Sequence, residues 1–230
     1  MPETYTITIR NKSADQTAFV LFTEPPVVNP NDNTTIYTNV FQLSEPANND
    51  GHGTAIFKVE KKTLAVCLTS KKALGAGTNV TTSDWQEVNI GTYEQQADII
   101  NVTYDTAKKA GDLQPAVKAT EANKPAGGFV MTTAPATWTY PTSNYFSIGV
   151  GAMDGDDVRP LSIFNARPNK TYNIFPVVTY YVAPAGDYEA GDIIDVKTVP
   201  ASKPIQFKNG ITSYILEYAA DNAFHVVASS

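Results

Sequence analysis

Short runs of β-branched and aromatic residues follow one another from end to end of this sequence, and each closes on Gly, Pro, Asn or Asp. YTITIR (5–10) sets the pattern, with Tyr5, Ile7 and Ile9 alternating against Thr6, Thr8 and Arg10. A period of two puts successive side chains on opposite faces of a strand. TAFVLF (17–22), TIYTNVFQL (35–43), TAIFKVE (54–60), TLAVCLT (63–69), DWQEVNIGT (84–92) and DIINVTYD (98–105) repeat the theme. So do the runs from GFVMTT (128–133) to AFHVVA (223–228). Turn signals recur about every 8–12 residues, the rhythm of a sandwich or barrel. The expected fold is all-β: an antiparallel β-sandwich with Greek-key or meander connections.

Residues 106–127, TAKKAGDLQPAVKATEANKPAG, differ in kind. They are rich in Ala and Lys and lack the alternation. A structureless loop of that length is uncommon inside a compact domain. The segment is therefore expected to be a linker or a short surface helix between two tandem sandwich halves, 1–105 and 128–230. One large domain over 1–230 is the alternative. Lys61-Lys62 reads as the turn of a compact hairpin, and Asn209-Gly210 favours a type I′ hairpin turn. EPPVVNPNDNT (24–34) reads as loop or edge, because its prolines remove ladder donors.

In TYNIFPVVTYYVA (171–183) both strand faces are largely apolar. A sheet with one wet face should alternate cleanly, so this strand must be covered on both sides. A second layer, the 106–127 segment or another copy of the chain could supply the cover. Pro176 argues for a bulge or an edge there.

Net charge is −6, which disfavours nucleic acid and anionic membranes as general partners. No run approaches the ~18 apolar residues of a membrane-spanning helix, so no membrane insertion is expected. The start MPETYTITIR has neither a basic nor an apolar leader region. Read at face value the chain is cytoplasmic, and secretion with a signal removed is the alternative. The single cysteine, Cys67, lies in an apolar strand and reads as a buried, inert thiol. Two histidines, His52 and His225, offer no zinc-ligand spacing. No nucleophile elbow, phosphate loop or dinucleotide fingerprint occurs.

Two features could carry a site. Residues 153–157 and 184–192 are acidic loops. If 144 onward forms an up-and-down meander, both tips lie at one end of a sheet, two strands and about 10 Å apart. Asp154, Asp156, Asp157, Asp187, Glu189 and Asp192 would then gather hard oxygen ligands suited to Ca²⁺. The plain reading is that Asp and Gly make turns and charge keeps hairpin tips soluble. The second feature is aromatic. Trp138, Tyr140 and Tyr145 crowd ATWTYPTSNYF, and Trp85 sits in TTSDWQEV. Flat rings beside Asp and Asn can hold a sugar, though core packing at strand ends is the plainer reading.

The expected function is a non-catalytic, lectin-like module binding a glycan or small molecule, with no obligatory cofactor. A self-assembling interaction protein forming homo-oligomers is one alternative. An enzyme on a β scaffold, acting on a sugar or a small apolar metabolite, is the other.

Overall fold

The computed structural model describes residues 3–30, 34–49, 52–105, 107–108, 110–119, 125–134 and 146–230. Among them there is no helix, and so none long and apolar enough to cross a membrane. The strands are, in chain order, β1 (Thr4–Asn11), β2 (Phe19–Thr23), β3 (Val27–Asn29), β4 (Ile36–Asn39) and β5 (Gln42–Leu43). Then come β6 (Thr54–Glu60), β7 (Leu64–Thr69), β8 (Thr81–Glu87), β9 (Asp98–Asp105) and β10 (Ala110–Leu113). β11 (Val117–Lys118), β12 (Phe129–Thr133), β13 (Ser147–Asp154), β14 (Asp157–Asn165) and β15 (Thr171–Phe175) follow. β16 (Thr179–Pro184), β17 (Ile193–Ile194), β18 (Lys203–Gln206), β19 (Ser213–Tyr218) and β20 (Phe224–Ser229) complete the series.

They form four sheets. Sheet I has the order β20-β19-β1-β6, and sheet II the order β10-β9-β12-β15-β3 with β11 also on β9. Sheet III runs β17-β4-β14-β13-β7-β8, and sheet IV runs β18-β16-β2-β5. Pairing is antiparallel except for β1 with β19 and β9 with β12. This is the all-β sandwich that the alternation requires.

The main core draws on every sheet: Ile7 and Ile9 from I, Ile100 and Tyr172 from II, Ile148 and Phe164 from III, Leu21 and Val182 from IV. Sheet IV buries its other face as well. Val20, Phe22 and Ala183 pack there with Val40, Ile194 and Val199. Of the run 171–183, expected to be covered on both sides, the part 179–183 is so covered, by 185–199 of the same chain together with Val40, while Val178 is exposed. A third cluster, with Leu64, Val66, Leu74 and Ile163, lies over the other side of sheet III.

Several connections differ from expectation, and all in one way. Lys61-Lys62 joins no hairpin, because β6 pairs with β1 while β7 pairs with β8 and β13. Strand 171–183 is broken at 176–178: β15 lies in sheet II and β16 in sheet IV. Proline has no N–H to give a ladder, and the chain uses that break to change sheets. The up-and-down meander after 144 therefore stops at β14. Asn209 and Gly210 both have positive φ, 55° and 82°, as a type I′ turn demands. That turn also passes between sheets, from β18 to β19. Within 106–127, β10 and β11 fold back onto β9. Strands from 1–105 and from 128–230 share all four sheets, so the expected boundary does not separate two sandwiches. Periodicity reports that a run is a strand, but it carries no information about the partner.

Candidate functional site

Leu21 and Phe22 carry β2 toward its end at Thr23, where pairing with β16 stops. The last bond there is from Glu24 N–H to the Thr179 carbonyl, 3.0 Å. Pro25 and Pro26 offer no donor to extend the ladder, so the chain turns out of sheet IV. Across from this turn lies the β4–β17 edge of sheet III, where Thr38 pairs with Ile194 on one side and Ser162 on the other. A cavity of about 680 Å³ opens between them. Glu24, Tyr37, Thr38, Tyr181, Asp195 and Lys197 are among the polar and aromatic members of its wall. This volume falls within the 300–1,000 Å³ common for small-ligand sites.

The wall is preorganised. The Tyr181 ring stacks on Phe22 with centroids 5.4 Å apart and planes at 7°. Burial first, and then the charge of Glu24, pushes the Tyr181 phenol above its ordinary value. Asp195 accepts from the Lys197 N–H at 3.0 Å, closing the turn that carries both residues. Thr38, one of the residues lining the cavity, is 2% exposed, and its buried Oγ1 has no hydrogen-bond partner among the described residues. Buried hydroxyls are nearly always paired, so this one marks a place where the protein alone does not complete its own bonding.

A second cavity, about 130 Å³, lies where sheets I, III and IV meet. Tyr5, Glu24, Lys61, Ser162, Val178 and Tyr180 are among its lining residues. Ser162 is 1% exposed, and its Oγ also lacks a partner among the described residues. Lys61 and Lys62 on this rim are paired with Glu3 at 2.9 Å and Glu87 at 3.2 Å.

Of the site residues singled out from the sequence, the described ones line neither cavity. Trp85 stands on β8, an edge strand, 47% exposed, and lines neither cavity. Trp138, Tyr140 and Tyr145 lie outside the described residues. The acidic loops are turn structures. Gly155-Asp156 closes the β13–β14 hairpin, with φ +64° at Gly155 and Asp154 opposite Asp157. Asp154 holds Arg159 Nε at 2.7 Å and accepts from Gln42 Nε2 at 2.7 Å. Asp192 accepts from the Glu189 N–H at 2.9 Å, while Asp187 and Glu189 are exposed. Among the described residues no three His, Cys, Asp or Glu side chains come together in a way that could hold a metal ion. The expected convergence presupposed a meander, and β15 leaves the sheet before the second loop is reached. Cys67 is fully buried, and burial pushes its thiol up to about 12.

Sequence reasoning passed over Glu24, Tyr37, Thr38 and Asp195. Two signals pointed toward this site: the Pro25-Pro26 pair that ends β2, and the doubly apolar run containing Tyr181.

A family model described as RhiA matches residues 2–229. Comparison with curated proteins and with solved structures finds no match.

Proposed function

We propose that this chain, which belongs to the RhiA family, is a non-catalytic binding protein for a neutral, polyhydroxylated small ligand of the carbohydrate class. One observation carries the reading: a cavity of about 680 Å³ whose wall combines Tyr37 and Tyr181 with Glu24 and Asp195, backed by the buried Thr38. Aromatic area takes the C–H faces of a sugar, and a few fixed polar groups take its hydroxyls. The 179–183 part of the doubly apolar run that motivated an assembly role is covered by its own chain, which weakens the argument for that alternative.

Calorimetric titration with a panel of neutral mono- and oligosaccharides tests the proposal. Tyr181→Phe and Glu24→Gln should each weaken the best ligand about 2- to 10-fold, the cost of one hydrogen bond. Trp85→Ala should leave affinity unchanged. Loss on Trp85→Ala with no loss on the cavity variants would move the site to the β8 edge and refute the cavity.

A second reading has one specific support. Glu24 and Asp195 line the same cavity, and a carboxylate pair is the equipment of glycoside hydrolysis. Release of reducing sugar, abolished by both Glu24→Gln and Asp195→Asn, would establish it over simple binding.

A further inference from the structure

The two cavities share a wall. Glu24 lines both; Thr23 and Pro26 face the smaller and Pro25 the larger. Residues 23–26 therefore run as a divider between them. Their linings also adjoin. Thr38, lining the larger, and Ser162, lining the smaller, are register partners on β4 and β14. Opposed residues of an antiparallel pair have Cα atoms about 4.5–5.5 Å apart and side chains on the same face. Two buried hydroxyls without partners among the described residues thus stand side by side, one from the lining of each compartment.

We infer that the two cavities are adjoining subsites of one cleft and that the ligand is a linear oligosaccharide of at least two rings, one in each compartment. The inference rests on the binding function proposed above. The smaller space, about 130 Å³, is below the roughly 150 Å³ of an apolar cavity that encloses benzene, so it takes part of one sugar ring and leaves the rest of that ring in solvent. Tyr5 and Tyr180 also line that compartment, with Tyr5 stacked on Phe207 at 4.2 Å and Lys61 4.8 Å from its ring centre. The charge on the shared wall is Glu24, and the two lysines on the smaller rim already hold Glu3 and Glu87. That arrangement favours a neutral chain over an anionic one, with Glu24 accepting hydroxyls near the linkage between the two rings.

The test compares the best-binding monosaccharide with its own disaccharide on wild type and on Ser162→Ala. The disaccharide should bind at least 10-fold more tightly. Ser162→Ala should weaken the disaccharide about 2- to 10-fold while leaving the monosaccharide within 2-fold. Methyl resonances of Val178, exposed on the smaller compartment, should shift with the disaccharide and not with the monosaccharide. Equal affinities with unmoved Val178 methyls would overturn the two-subsite inference and leave the single-cavity reading standing. Absence of binding by any sugar would overturn both.

Discussion

Thr38→Val should stabilise the ligand-free protein, and the magnitude follows from the lining of the larger cavity. Thr38 is 2% exposed, and its hydroxyl finds no partner among the described residues. A buried hydroxyl left unbonded costs about 1–3 kcal/mol of desolvation. Valine replaces it with a methyl group of similar shape, and β4 is a strand that welcomes a β-branched side chain. The expected gain is about 1–2 kcal/mol. For a chain of this length that raises Tm by roughly 3–6 °C. The same exchange at Thr133 provides the control. Thr133 is 1% exposed, yet its hydroxyl donates to the Arg167 carbonyl at 2.7 Å and accepts from the Lys170 N–H at 2.9 Å. Thr133→Val should therefore cost about 1–2 kcal/mol, because two bonds to partly buried backbone groups are lost. Urea and thermal denaturation of both variants give the comparison directly. A loss above about 1 kcal/mol for Thr38→Val, or shifts of the same sign in both variants, would show that the Thr38 hydroxyl is satisfied in the folded state. The cavity would then lose its strongest polar marker.

Other consequences follow from single residues. Gly149→Ala should cost about 3 kcal/mol or prevent folding, because a Cβ there would lie 2.1 Å from the Ser162 carbonyl oxygen of β14; chemical denaturation checks it. Asp98 is buried and would be pushed up by desolvation, but bonds from Lys118 and from Asn89, together with the Lys118 charge, hold its carboxyl below the usual range. A lowered value in the folded state means stability present above the unfolded value near 4 and lost as pH falls through the folded one. Acid unfolding should therefore begin below about pH 4 in wild type, and Asp98→Ala should lose about 2–3 kcal/mol at pH 7 along with that part of the pH dependence. The Cys67 thiol, pushed up to about 12, should resist alkylation at pH 8 in the native protein and react fully in denaturant; rapid native labelling would refute the burial.

What the sequence made legible was the strand content, because burial on a pleated surface writes itself as period two. Ile7 and Ile9 are buried while Arg10 points out, as YTITIR implies. Turn chemistry was equally readable at Asn209-Gly210. Partners were not. β1 lies between β6 and β19, and β9 pairs in parallel with β12; such contacts join segments that share no local signal. The same physics hides the site. Glu24 comes from the end of β2, Thr38 from β4, Tyr181 from β16 and Asp195 from the turn after β17. Each is ordinary in its own stretch: an acid before two prolines, a threonine in an alternating strand, a tyrosine beside another tyrosine, an aspartate opening a turn. A site assembled from four strand ends in two sheets has no spacing to read. The lack of a chemical motif in this chain is thus a consequence of how its sheets interlace, and it says nothing against a ligand. Conversely, the residues that looked most like a site, the clustered acids at 153–157 and 184–192, stood out because they are local, and local clustering is what turns require.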